Sequence, residues 1–283
     1  MVKLSHRIGV FGVAVATALG LTACADNGSE ADTTHAGTSE TASAQSGTSQ
    51  ARTAEGAVTV TDAAGRTLQF NELPERIVLA EGRAAYATAL LQDEPLHNVV
   101  AYGQDLEKAA GAFRDKLFEL QPEAKDMPTI GMIQKGDVTV ENLLAQKPDV
   151  VIMTLDQKKA VEESGFLSDM DAAGLKYAFI DFRQKPLENT TVSMQLLGDL
   201  LGQSERAEKY NEFYNAKVKE ITDRVAETAD RPDVLIWMAA GFNDCCAVAG
   251  DSNLGTLVTA AGGHNLGPEA VSYTHLRAHE TEA

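Results

Sequence analysis

Between Glu75 and Asp181, short and almost wholly apolar runs alternate with helical stretches, and that alternation leaves few folds open. The runs are Glu75–Ala80, Asn98–Tyr102, Thr129–Ile130, Asp149–Met153 and Tyr177–Asp181. Between them lie Ala84–Leu91, Leu106–Leu120, Thr139–Gln146 and Lys159–Ala173, the last stopped by Gly174. A strand that is apolar on both faces must be covered on both, and regular strand–helix alternation predicts a parallel sheet with helices on either side. Ahead of this block, Ala57–Phe70 alternates polar and apolar residues around Ala63, Ala64 and Gly65, which predicts a hairpin. The fold class is α/β.

The stretch from Leu187 to Ala229 adds a second constraint. In its later half Ala207, Tyr210, Tyr214, Val218, Ile221 and Val225 recur at steps of three or four, the signature of a long one-sided helix. Ser204 is placed to cap it, Arg231 and Pro232 end it, and a strand over Asp233–Met238 follows. A helix this long between two αβ blocks predicts a rigid strut joining two Rossmann-like lobes. The expected domains are a first lobe over 57–201, the strut over 202–231, and the start of a second, incomplete lobe over 232–270.

The ends read differently. Lys3 and Arg7 precede an apolar stretch, Ile8–Leu21, too short for a comfortable membrane span. It ends in Leu21-Thr22-Ala23-Cys24, which resembles the lipobox of bacterial lipoproteins. That resemblance implies a signal peptide over 1–23, a diacylglycerol on the Cys24 thiol, and residence on the outer face of the cell membrane. Residues 24–56 are Ser, Thr, Ala, Gly and acids with almost no large apolar side chain, a composition that stays disordered and reads as a tether reaching about 30 Å. From Val271 onward the sequence reads as the translation of a transposon-end sequencing adapter, so residues 271–283, with His275 and His279, are set aside as an artefact.

The formal charge is −17, and two charges more negative once Lys3 and Arg7 leave with the signal. Such a surface disfavours nucleic acid and anionic lipid as partners, and it repels a free anion at long range, so any anion site must be locally basic. Besides Cys24 the cysteines are the adjacent Cys245 and Cys246. They fit either a vicinal disulfide or two small buried residues at a strand edge.

With these pieces in order, the chain resembles the helix-hinged periplasmic binding proteins of ABC importers for ferric siderophores, haem and cobalamin. The marks are Val60–Arg66 leading to Pro74–Val78, then Gly136–Ile152, then Leu254–Asn265 with Ala260-Ala-Gly-Gly-His-Asn265. The stretch Asp181–Thr190, with Asp244–Cys246 and Gly263–Asn265, looks most like the iron-chelate branch. The resemblance implies two αβ lobes with ligand in the cleft between them, no enzymatic activity, and no cofactor, iron entering only as a chelated ligand. It also implies delivery by a monomer to an ABC permease dimer, docked through a surface glutamate on each lobe. Of Glu162 and Glu163, on the helix after Ile152, Glu163 is favoured.

In open α/β sheets the ligand crevice lies beyond the carboxyl ends of the strands. That rule selects Arg83, Lys135 and Arg183 as cations for an anionic chelate, and Tyr86, Tyr102, Trp237 and Phe242 as walls. The competing readings are a haem or cobalamin binder of the same family, a zinc or manganese binder, and a secreted hydrolase. The metal reading needs converging histidines, and past the tether only His97 and His264 precede the adapter-like tail. His264 is expected at a turn. The hydrolase reading lacks GxSxG, HExxH and P-loop motifs.

Overall fold

Val58–Thr61 (β1) and Thr67–Phe70 (β2) form the expected antiparallel hairpin in the computed structural model, which describes residues 57–228, 230–238, 247–251 and 253–269. Asp62 ties the turn down. Its buried carboxylate accepts from the backbone N–H groups of Ala64 and Arg66, at 2.9 and 2.8 Å, and from that of Phe179 at 3.1 Å.

The central layer is assembled from Ile77–Leu79 (β3), Val99–Gly103 (β4), Thr129–Ile130 (β5), Val150–Thr154 (β6) and Tyr177–Ile180 (β7). All pairs are parallel, in the order β5-β4-β3-β6-β7. The chain builds outward from β3 in one direction, then returns to lay β6 on the other side of β3. The connecting helices are Ala85–Leu91 (α1), Asp105–Ala109 (α2), Gly111–Leu120 (α3), Val140–Ala145 (α4), Leu155–Glu163 (α5) and Phe166–Ala172 (α6). Pro186–Leu200 (α7) and Ser204–Ala226 (α8) follow.

The strands divide their side chains between two cores with a period of two. Ile77, Leu79, Val150, Ile152, Ala178 and Ile180 join Leu91 of α1, Leu106 of α2, Leu117 of α3 and Met194 of α7. Val78, Val151, Met153, Tyr177 and Phe179 join Leu143 of α4, Val161 of α5 and Met170 of α6. Each such side chain contributes about 1.5–3 kcal/mol by leaving water, so the parallel sheet is held from both faces, as the apolar runs predict.

Local differences have identifiable causes. The helix expected over Leu106–Leu120 breaks at Ala110 (φ −138°), just before Gly111, and the change of direction lets Leu106 and Leu117 reach the same core. The helix expected over Lys159–Ala173 begins earlier, at Leu155, and is cut by Gly165 at φ 78°, a conformation that suits glycine. Ser204 is the first helical residue of α8 rather than its cap, a position taken by Gln203.

A helix of the length of α8 is about 34 Å long. Its first half lies on α7, where Tyr214 Oη donates to Pro186 O at 2.9 Å and Asn211 Nδ2 donates to Thr191 O at 3.0 Å. Farther along the helix the predicted stripe is less covered, and Ile221 is 49% exposed. Near its end, Val225 packs close against Gly262.

The strand expected over Asp233–Met238 is two short ones. Asp233–Val234 (β8) pairs parallel with His264–Asn265 (β11), and Trp237–Met238 (β9) pairs antiparallel with Ala247–Val248 (β10). Leu254–Ala260 (α9) sits between β10 and β11. His264 is therefore a strand residue, not a turn. Its Nδ1 lies 2.8 Å from Asp233 Oδ1 and its Nε2 3.4 Å from Glu269 Oε1. The hydrogen bond to Asp233 raises the imidazole pKa against some desolvation, helped by the charges of Glu269 and Asp233. A histidine raised in the folded state holds this clip fully below its ordinary value of 6.5, and the contribution is lost as pH rises through the folded pKa. Amide exchange across β8 and β11 should therefore accelerate, beyond the intrinsic rate, above that pKa. Identical pH profiles for the parent and His264→Gln would show that the ring does not hold the pair.

Candidate ligand-binding site

The returning chain places a topological switch between β3 and β6, and ligands of open α/β sheets bind beyond the carboxyl ends of the strands at such a point. A cleft of about 340 Å³ lies there. Its floor comes from the carboxyl ends of three strands: Glu81 and Arg83 after β3, Thr154 at the end of β6 with Asp156 beyond it, and Asp181, Phe182 and Arg183 after β7. Its apolar side comes from Tyr86, Ala87 and Leu90 of α1, Met194 of α7 and Tyr210 of α8.

Glu81 is the centre of the floor, its side chain only 11% exposed. Arg83 Nη2 approaches Glu81 Oε1 at 2.6 Å, Arg183 Nη2 approaches Oε2 at 3.0 Å, and Thr154 Oγ1 donates to Oε2 at 3.1 Å. Each guanidinium also has an outer carboxylate. Arg83 Nε donates to Asp105 Oδ2 at 3.0 Å, and Arg183 Nη2 donates to Asp156 Oδ2. Burial raises the Glu81 pKa. Arg183 and Arg83 oppose that rise, while Asp156 and Asp105 reinforce it.

Two backbone arrangements hold these groups. Asp105, at the start of α2, accepts from the N–H groups of Gly82 at 2.7 Å and Arg83 at 3.1 Å, so the turn after β3 is fixed from β4's side of the sheet. Asp181 closes the loop after β7 on itself. Its carboxylate accepts from the N–H groups of Arg183, Gln184 and Lys185 and from Asn189 Nδ2, all between 2.8 and 2.9 Å. Burial pushes its pKa up, but these donors outweigh it and hold the carboxyl below the usual value. The same loop meets the chain beyond α8, where Asn253 N–H donates to Gln184 O at 2.8 Å.

Of the residues that the sequence selects, the structure brings Arg83, Tyr86 and Arg183 together in the cleft. Tyr86, 47% exposed, stacks on Phe113 with centroids 4.1 Å apart. Tyr102 is a correction. It is 1% exposed and its hydroxyl donates to Ala124 O, because β4 continues to Gly103 and keeps the ring inside the core. Lys135 is exposed beside α5 and does not line the cleft. Trp237 is 56% exposed on β9, also outside the lining. Phe242, Cys24 and the Cys245–Cys246 pair lie outside the described residues.

The edge rule also selects Glu81, after β3, but assigns it no role, and sequence reasoning passed over Asp105, Asp156 and Asp181 as functional groups. The signal was available, since Asp105 and Asp156 are acids in the first turn of helices that directly follow strands. Among the described residues no group of three His, Cys, Asp or Glu side chains is arranged to hold a metal ion.

Comparison with known proteins agrees with this geometry. The chain is similar to the solved TroA-like periplasmic binding protein FepB of Veillonella parvula, with 26% identity, a TM-score of 0.67, and coverage of 75% of this chain and 63% of that one. A periplasmic solute binding protein of Veillonella parvula DSM 2008 shares the fold at 20% identity and a TM-score of 0.52, over 75% of this chain and 60% of that one. The chain thus spans less than two thirds of the length of either. No curated protein sequence matches it. A family model described as periplasmic binding protein matches residues 106–276, well over half of the chain, and with the parallel sheet and its switch-point cleft this shows that the chain belongs to the periplasmic binding protein family.

Proposed function

We propose that the chain is an extracytoplasmic solute-binding protein that captures an iron(III)-siderophore and delivers it to an ABC importer. The observation that carries this reading is the switch-point cleft, where two arginines stand beside an apolar wall. The segment behind the resemblance to the iron-chelate branch, Asp181–Thr190, is the loop and helix start that supplies Asp181, Phe182 and Arg183 to that cleft. Glu81, Arg83, Asp156 and Arg183 are paired with one another, an arrangement that suits holding a solute better than proton transfer.

The lobe boundaries, the lipid anchor on Cys24 and its tether belong to the same proposal. So does α8 as the strut between lobes. Among the described residues no helix is long and apolar enough to cross a membrane. Glu163, exposed at the end of α5, is the permease-docking group. Glu162 is held by Lys158, whereas Glu163 has only a 3.7 Å approach from Lys159.

Thermal unfolding in the presence of candidate cargoes tests the reading. A ferric siderophore at a hundred times its dissociation constant should stabilise the chain by about 2.7 kcal/mol. A shift with haemin or cobalamin alone would move the cargo within the family, and a shift with zinc alone would replace the chelate by a bare ion.

A further inference from the structure

A chain carrying −17 charges attracts cations and repels anions at long range, so an anionic cargo requires a locally basic site. The cleft is not locally basic. Four carboxylates, Glu81, Asp156 and Asp181 in the lining and Asp105 behind Arg83, stand against two guanidinium groups, Arg83 and Arg183, and each guanidinium is already in contact with two of them. An incoming anion would have to compete with Glu81, whose side chain is almost fully enclosed and would be left as an uncompensated buried charge. Lys135, the other cation expected there, lies outside the lining.

What the arginines still offer is neutral hydrogen bonding. Arg83 Nη1 and Arg183 Nε and Nη1 have no hydrogen-bond partner among the described residues, and both side chains are partly exposed to the cleft. These donors can take carbonyl-type oxygens without disturbing the charge balance. Tyr86, Leu90 and Met194 beside them suit aliphatic spacers between such oxygens.

We propose that this cleft selects iron(III) chelates of zero or positive net charge, the trishydroxamate class, and discriminates against trianionic tricatecholates. The inference rests on the chelate-capture reading and names its substrate class. Equilibrium dialysis of the whole chain against two radio-iron chelates tests it, one a linear trishydroxamate carrying a protonated amine, the other a tricatecholate carrying three negative charges. The trishydroxamate should bind at least about tenfold tighter at low salt, and the preference should shrink as salt is added. Asp156→Asn, at a half-exposed position, leaves Arg183 less compensated and should narrow the preference about threefold. Equal or tighter binding of the tricatecholate overturns the charge selection while leaving chelate capture standing. A preference that Asp156→Asn leaves unchanged also overturns it, because the selection would then not arise from these carboxylates. Binding of neither chelate removes the capture reading itself.

Discussion

Asp181→Ala should destabilise the lobe by about 3 kcal/mol and abolish the capture proposed for the cleft. The carboxylate is buried and accepts four hydrogen bonds, three of them from consecutive backbone N–H groups. Alanine removes every acceptor at once and leaves those donors without their partner. The backbone N–H of Asp181 itself is bonded to Ser193 Oγ, so the chain is pinned on the strand side and disorder is expected to spread forward, through Arg183. The charge has a second signature. A carboxyl whose folded pKa is lowered contributes stability above its unfolded value near 3.8, and loses that contribution as pH falls through the folded pKa. The gap in unfolding free energy between parent and variant, measured in urea, should therefore be full near neutrality and close in acid. A gap below about 1 kcal/mol at neutral pH would mean that solvent replaces the carboxylate, and that the loop is held by the rest of the fold.

Residues that determine this loop were visible in the sequence as a strand end and a helix start, and the same is true of most of the first lobe. Runs such as Val150–Thr154 are buried along their whole length, and only a parallel sheet covered on both faces accepts that pattern. What the sequence hid was parity and partnership. Tyr102 ends the apolar run Asn98–Tyr102, a position from which the edge rule predicts a place at the cleft. The strand runs one residue longer, and the register between β3 and β4 shifts after Ile77 and Val99. That shift puts Val99 and Tyr102 in one core and Ala101 in the other. The arginines were found because the edge rule needs only their position in the chain. Their neutralisation was not found, because Asp105 and Asp156 lie 22 and 27 residues away from the arginines they pair with, and only the closed sheet brings them together. Glu81 shows the same limit. It is two residues from Arg83 in sequence, yet its burial is set by Thr154 and Arg183 arriving from β6 and β7.

The sharpest test of that closed sheet is Gly82→Ala. A methyl group at Gly82 would stand 2.3 Å from Gly103 O and 2.7 Å from Leu106 Cβ, far inside contact distance. Neither neighbour can yield easily. Gly103 belongs to β4, hydrogen-bonded between β5 and β3, and Leu106 is fully buried. The crowding is mutual, since a methyl at Gly103 would meet Gly82 N at 2.8 Å. The turn after β3 must therefore move away from Asp105, which breaks the hydrogen bonds to Gly82 and Arg83 and swings the Arg83 guanidinium off Glu81. A loss of about 3 kcal/mol is expected from the overpacking, with ligand affinity falling further than stability. Gly111→Ala supplies the control. Nothing stands within 4 Å of its added methyl, at the start of α3, and alanine is the better helix former, so the change should be neutral or stabilising by up to about 1 kcal/mol. Urea unfolding of the two variants, side by side, separates the cases. If Gly82→Ala is as stable as Gly111→Ala and still binds its cargo, the close crossing of the two strand ends does not build the floor of the cleft.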